Sequence, residues 1–188
     1  MNKADLRRAL RDRRRKFVEE MQHDAGREAL ELLIAERVIA HIGAARSIAA
    51  YLPKGAEADP LPALESAFTQ GLITALPHVT DSASGMRFLR WAPGEPLIPG
   101  PYGLLQPHAD APELEPDLIL APLVGFDRAM RRLGQGAAFY DRAFARLPHA
   151  RRIGIAWSVQ EADALPADAW DVPLHAVATE KEWIEPDA

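Results

Sequence analysis

Six short runs constrain this chain more than any other feature: SIAAYL (47–52), LITAL (72–76), MRFLRW (86–91), DLILAPLV (117–124), RIGIAW (152–157) and LHAVAT (174–179). Several are apolar at consecutive positions instead of at every second one. A strand wetted on one face alternates, because successive side chains point to opposite sides, so a strand that is apolar throughout must be covered on both. Covering both faces of a mostly parallel sheet takes helices above and below it. The expected fold is therefore α/β, a three-layer sandwich, and 188 residues suit a single domain spanning 1–188.

Helices are legible between and before these runs. Leu6, Leu10, Phe17 and Met21 recur at near-helical spacing, while Lys3, Arg7 and Arg11 recur every four residues on another face. Leu30, Leu33, Ile34, Val38 and Ile42 mark the buried side of a second helix over about 27–42, closed by Gly43. Helical patterns at about 60–70 and 137–147 read as crossovers, and the proline-rich stretch 92–116 reads as an extended surface loop.

Composition removes whole classes of chemistry. The chain has no cysteine, which excludes disulfides, thiolate metal sites and cysteine nucleophiles. Its six histidines show no ligand spacing, so a structural zinc site is not expected. The amino terminus is charged where a signal peptide needs an apolar core, and no later apolar run is long enough to cross a bilayer. A cytoplasmic, monomeric protein is expected, with no membrane partner. A formal net charge of −5 argues against nucleic acid as a partner, although the cluster Arg11 to Arg15 would be the place to look for one.

The stretch RRLGQGAAFYDR (131–142) holds the chemistry. It lies between the strand at 117–124 and a helix starting near Phe139. Gly134 and Gly136 are spaced for close backbone approach to a ligand, Arg132 offers a charged fork, and Asp141 falls in the first helical turn, where a carboxylate can meet Mg²⁺ or simply the helix dipole. The run is neither a Walker loop nor a complete G-x-G-x-x-G fingerprint. Spacing alone leaves a structural turn and a phosphate cradle both open. Asp127 reads as a cap for the connecting turn.

An ordered set of further motifs decides between them. K-x-x-L-R (Lys3 to Arg7), Y-L-P-x-x-x-E-x-D (Tyr51 to Asp59), M-x-F (Met86 to Phe88) and G-L-x-x-P (Gly103 to Pro107) are followed by F-D, R-L-G-x-G, Y-D-R and I-G-I-A-W-x-x-Q, then Asp171 and a closing Thr179-Glu180. In this order the chain resembles the 5-formyltetrahydrofolate cyclo-ligases, also called methenyltetrahydrofolate synthetases. The resemblance implies a Rossmann-like, CoA-transferase-like sandwich and ATP-driven, Mg²⁺-assisted closure of 5-formyltetrahydrofolate to the 5,10-methenyl form. It assigns Lys3, Arg7, Arg132 and the backbone of Leu133, Gly134, Gln135, Gly136, Ala137, Ala138, Phe139 and Tyr140 to ATP. Asp141 and Asp171 fall to Mg²⁺, and Leu52, Glu57 and Tyr140 to the folate, with Arg132 and Tyr140 nearest the chemistry. Trp91 is expected as a stacking platform for the folate.

The pattern has departures. Met130 stands where the family has glycine, Ala137 and Ala138 replace a glycine or lysine and a glycine, Phe139 replaces a tyrosine, Gln106 a glutamate, and Trp170 precedes Asp171 where histidine is common. An alanine keeps its backbone N–H, so the cradle survives if residue 138 has negative φ. If it must sit left-handed, the conformation costs roughly 1–2 kcal/mol. A diverged, non-catalytic folate or nucleotide binder is the alternative that these changes raise.

Overall fold

The computed structural model describes residues 2–21, 24–81 and 85–186. In chain order the elements are α1 (Lys3–Glu20), α2 (Asp24–Ala40), β1 (Ser47–Ala49), α3 (Leu61–Thr69), β2 (Ile73–Val79), β3 (Met86–Arg90), β4 (Ile98–Pro99), β5 (Leu105–Gln106), β6 (Leu118–Pro122), β7 (Gly125–Phe126), β8 (Arg132–Leu133), α4 (Phe139–Arg146), β9 (Arg151–Ile155), β10 (Ala176–Ala178) and β11 (Trp183–Ile184). Seven strands form one sheet in the order β11-β10-β9-β6-β1-β2-β3. The inner five pair in parallel, and β3 and β11 close the two edges antiparallel.

Consecutive residues of the inner strands enter different cores. Ile48, Leu118 and Leu120 face the layer that holds Ile34, Val38 and Leu64 of α2 and α3. Their neighbours Ala49, Ile119 and Ala121 face the layer that holds Ala143 and Phe144 of α4. This two-sided burial is why the runs do not alternate, and each large aliphatic side chain so buried stabilises the fold by about 1.5–3 kcal/mol.

The site follows from topology. The connection after β1 leads to β2 on one side, while that after β6 leads to β9 on the other, so the chain changes direction between β1 and β6. Open α/β sheets bind ligands outside the carboxyl ends of the strands at such a point. Helix α1 lies over this end of the sheet: Leu6 and Leu10 pack with Val124, Leu133 and Leu165, and Phe17 packs on Trp157 at 5.6 Å between centroids. Gly125 permits the approach, because a Cβ there would collide with Leu10 Cδ1.

Three expectations are corrected. The stretch 92–116 is not a plain loop, since β4 and β5 pair antiparallel within it. The connector after β6 is a hairpin of β7 and β8. Its turn is fastened by Asp127, whose carboxylate accepts from Arg131 N at 3.0 Å, Arg131 Nε at 2.6 Å and Leu165 N at 2.8 Å. Strand β11 was not foreseen, because two residues are too short to show a period. Among the described residues no helix is long and apolar enough to cross a membrane.

Candidate active site

A cavity of about 660 Å³ opens at the carboxyl end of the sheet. Lys3 and Arg7 of α1, Leu52 and Glu57 after β1, the whole segment Arg132–Asp141 and Asp171 all line it. Residues scattered over the full length of the sequence thus converge on one space.

The segment after β8 takes its shape from its small residues. A Cβ on Gly134 would lie 2.8 Å from Arg132 Nη1, so glycine leaves room for the guanidinium. Gly136 has φ 111°, which only glycine adopts without strain. Ala138 is left-handed too, at φ 52° and ψ 20°, and caps the start of α4. The left-handed alternative is therefore the one realised: the loop keeps a glycine-like path at a cost of roughly 1–2 kcal/mol, and its N–H groups stay where a helix start can offer them to an anion. Met130 is likewise left-handed, at φ 62°, which accounts for the glycine common at that position.

Cations and carboxylates interlock around this loop. Arg132 Nη2 donates to Asp141 Oδ1 at 2.7 Å, and Arg132 Nε is buried with no hydrogen-bond partner among the described residues. Lys3 Nζ donates to Asp168 Oδ2 at 2.7 Å and Asp171 Oδ2 at 3.0 Å, and Arg7 Nε donates to Gly134 O at 2.9 Å. Partial burial would lower the Lys3 pKa, but hydrogen bonds to Asp168 and Asp171 outweigh it and the pKa rises. Burial would raise that of Asp171, yet the Asp168 N–H, Lys3 and Arg132 together hold it below the ordinary carboxylate value. Both groups stay charged at neutral pH.

The donor set fits Mg²⁺. Asp141 and Asp171 supply hard oxygen ligands to the same cavity, and the described residues hold no cluster of three or more acidic or histidine side chains that would form a cage. One or two carboxylates, completed by phosphate oxygens and water, is how Mg²⁺ is commonly bound.

Glu57, which also lines the cavity, is buried. Its Oε1 accepts from Gln135 Nε2 at 2.9 Å and its Oε2 from Lys54 N at 3.0 Å. Arg14 Nη1 stands 3.8 Å from Oε1. The backbone here is pinned from outside: Trp157 Nε1 donates to Ala56 O at 3.0 Å and Arg27 Nη2 to Glu57 O at 2.7 Å. The Tyr140 hydroxyl, at the same cavity, is buried with no hydrogen-bond partner among the described residues. Burial pushes its pKa well above the ordinary phenol value, so it remains a neutral donor.

Trp91 is the expectation that fails. It is 8% exposed, packs in the core on the α2 and α3 side, donates from Nε1 to Glu95 O at 3.0 Å and does not line the cavity. Its position at the end of β3 turns it inward, so it is a core residue and not a folate platform. The arginine cluster is also spent within the chain. Arg11 binds Gln135, Arg13 donates to Val159 O and Glu161 O, Arg14 is buried at the cavity wall, and Arg15 pairs with Asp12. Arg14, Asp168 and the exposed Trp170 also line the cavity and were not singled out as site residues. Only for Arg14 was a signal present: it falls four residues after Leu10 on the apolar stripe of α1.

Relatives agree with this architecture. The 5-formyltetrahydrofolate cyclo-ligase of Escherichia coli K12 is 32% identical over 184 residues, covering 93% of this chain and 98% of its own. That of Mycolicibacterium smegmatis is 32% identical over 193 residues, covering 97% and 96%. The structure of Aquifex aeolicus 5,10-methenyltetrahydrofolate synthetase superposes with a TM-score of 0.83 at 26% identity, over 100% of this chain and 94% of that one. Family-wide sequence features match residues 1–180, and this chain is a member of the 5-formyltetrahydrofolate cyclo-ligase family.

Proposed function

We propose that this cavity binds ATP and 5-formyltetrahydrofolate together and closes the folate to 5,10-methenyltetrahydrofolate, releasing ADP and phosphate. The observation that carries this reading is the juxtaposition in one cavity of a cationic, glycine-bearing loop, the carboxylates of Asp141 and Asp171, and buried Glu57. The N-formyl oxygen is a poor leaving group. Attack of that oxygen on the γ-phosphorus, with ADP departing, turns it into a phosphate ester of an imidate. The neighbouring anilino nitrogen then adds to the formyl carbon and loses its proton, and the C–O bond breaks to expel phosphate. No protein nucleophile is needed, and positioning with charge neutralisation does the catalysis.

Each residue has a task in that sequence. Lys3 and Arg7, one helical turn apart on α1, reach the same nucleotide phosphates as the loop N–H groups. Arg132, whose Nε has no hydrogen-bond partner among the described residues, faces the phosphoryl group as it moves. The neutral Tyr140 hydroxyl donates to the reacting oxygens. Glu57 accepts N–H groups from the polar edge of the pterin, above Leu52. Asp141 and Asp171 would hold Mg²⁺, which supplies charge neutralisation on the triphosphate when bound.

The test is to follow the near-ultraviolet absorbance of the methenyl product in purified protein given 5-formyltetrahydrofolate and Mg-ATP. An ATP-dependent rise is expected. Folate binding without any rise would leave the protein as a non-catalytic binder and refute the reading.

A further inference from the structure

The side chain of Gln135 does more than its place in the loop requires. It stands between Gly134 and Gly136, in the segment assigned to ATP, yet its side chain bonds Glu57, the residue assigned to the folate. Its Nε2 donates to Glu57 Oε1 at 2.9 Å, and its Oε1 accepts from Arg11 Nε at 3.2 Å and Nη2 at 2.5 Å. The amide is thus oriented at both ends by charge, with its oxygen toward the guanidinium and its nitrogen toward the carboxylate.

We infer that Gln135 is a positioning residue that couples the two halves of the site, so that a nucleotide on the loop raises the affinity for folate through Glu57. This rests on the cyclo-ligase reading of the same cavity. Residues 135–138 are exposed, and a triphosphate gripping the backbone N–H groups fixes them. Fixing residue 135 fixes the amide, and the amide holds one oxygen of Glu57 while Lys54 N holds the other. The carboxylate is then aimed before the pterin arrives, and the freedom it would otherwise lose on binding is already lost. Coupling is reciprocal, so folate must tighten the nucleotide by the same factor. Arg14, 3.8 Å from the same Glu57 oxygen, restrains the carboxylate independently of the loop, and so does not transmit the nucleotide's presence.

The experiment is calorimetry of 5-formyltetrahydrofolate with and without a non-hydrolysable ATP analogue and Mg²⁺, on the natural chain, Gln135→Leu and Arg11→Met. In the natural chain the analogue should tighten folate binding by about fivefold or more, the range in which measured couplings fall. In Gln135→Leu the ratio should fall to about one, and in Arg11→Met it should fall part of the way. A residue serving only to stabilise the loop would lower both affinities and leave their ratio unchanged. An unchanged ratio in Gln135→Leu, or no coupling in the natural chain, overturns the inference while leaving the cyclo-ligase reading intact. Failure of the natural chain to bind either ligand overturns both.

Discussion

Two departures from glycine sit in the same backbone conformation, and their different surroundings predict opposite results for the same substitution. Ala138 has φ 52° and Met130 φ 62°. An L residue held left-handed costs roughly 1–2 kcal/mol, and glycine removes that cost but loses roughly 0.5–1 kcal/mol of chain entropy on folding. Ala138 is exposed, so nothing else changes on truncation. Ala138→Gly should therefore stabilise the fold by about 0.75 kcal/mol, the middle of a difference of roughly 0–1.5 kcal/mol, a rise in Tm of about 1.5–3 °C for a chain of this length. Met130 is 2% exposed and packs in the α4-side core. Emptying that volume costs about 2–5 kcal/mol, more than the relief of strain, so Met130→Gly should lower Tm by several degrees. Thermal melts by circular dichroism read both. Binding of an ATP analogue to Ala138→Gly should be unchanged or tighter, because the N–H it needs is already in place. A lower Tm for Ala138→Gly would refute the strain argument, and tenfold weaker nucleotide would show that the alanine methyl itself is used.

Other perturbations separate chemistry from folding. Asp141→Ala should reduce turnover by at least a hundredfold with an unchanged dichroism spectrum, since it removes the carboxylate proposed to hold Mg²⁺ and the partner of Arg132 without opening a core cavity; a normal rate would refute the metal assignment. Tyr140→Phe removes a hydroxyl that makes no hydrogen bond within the described residues. Its Tm should hold or rise while kcat falls, and a loss of stability with full activity would contradict the role given to that hydroxyl. Asp117 ties the starts of β1 and β6 by accepting from Arg46 N, Ser47 N and Ser47 Oγ. The Arg46 N–H first, against the opposing effect of burial, and then Ser47 hold its pKa below the ordinary value. The stability it adds is fully present above the unfolded carboxylate pKa of about 3.9 and is lost as pH falls through the lower folded value. Asp117→Asn should thus be less stable than the natural chain at pH 7 and converge with it toward pH 2 in denaturant titrations; a gap that stays constant with pH would remove the ionic contribution.

What the sequence revealed and what it hid divide along a physical line. The inner strands were legible because burial on both faces leaves a continuous apolar run such as LILA in β6, and the loop was legible because Gly134 and Gly136 answer to steric needs that few other residues meet. Single side chains whose direction depends on where a strand ends were not legible. Trp91 has the composition of a ligand platform, yet the end of β3 points it into the core, where Thr74 Oγ1 binds its carbonyl. Arg14 shows the converse. Charge alone grouped it with the cluster Arg11 to Arg15 as a place to look for nucleic acid, but Leu6, Leu10 and Arg14 are the buried positions of α1. Burial lowers the pKa of its guanidinium, Glu57 partly offsets this, and Nε is left without a hydrogen-bond partner among the described residues. A charge carried on an apolar stripe is costly to bury unless something on the far side repays it with an opposite charge. The position of Arg14 in the stripe was therefore itself the signal that a buried carboxylate had to lie opposite, and Glu57 is that carboxylate.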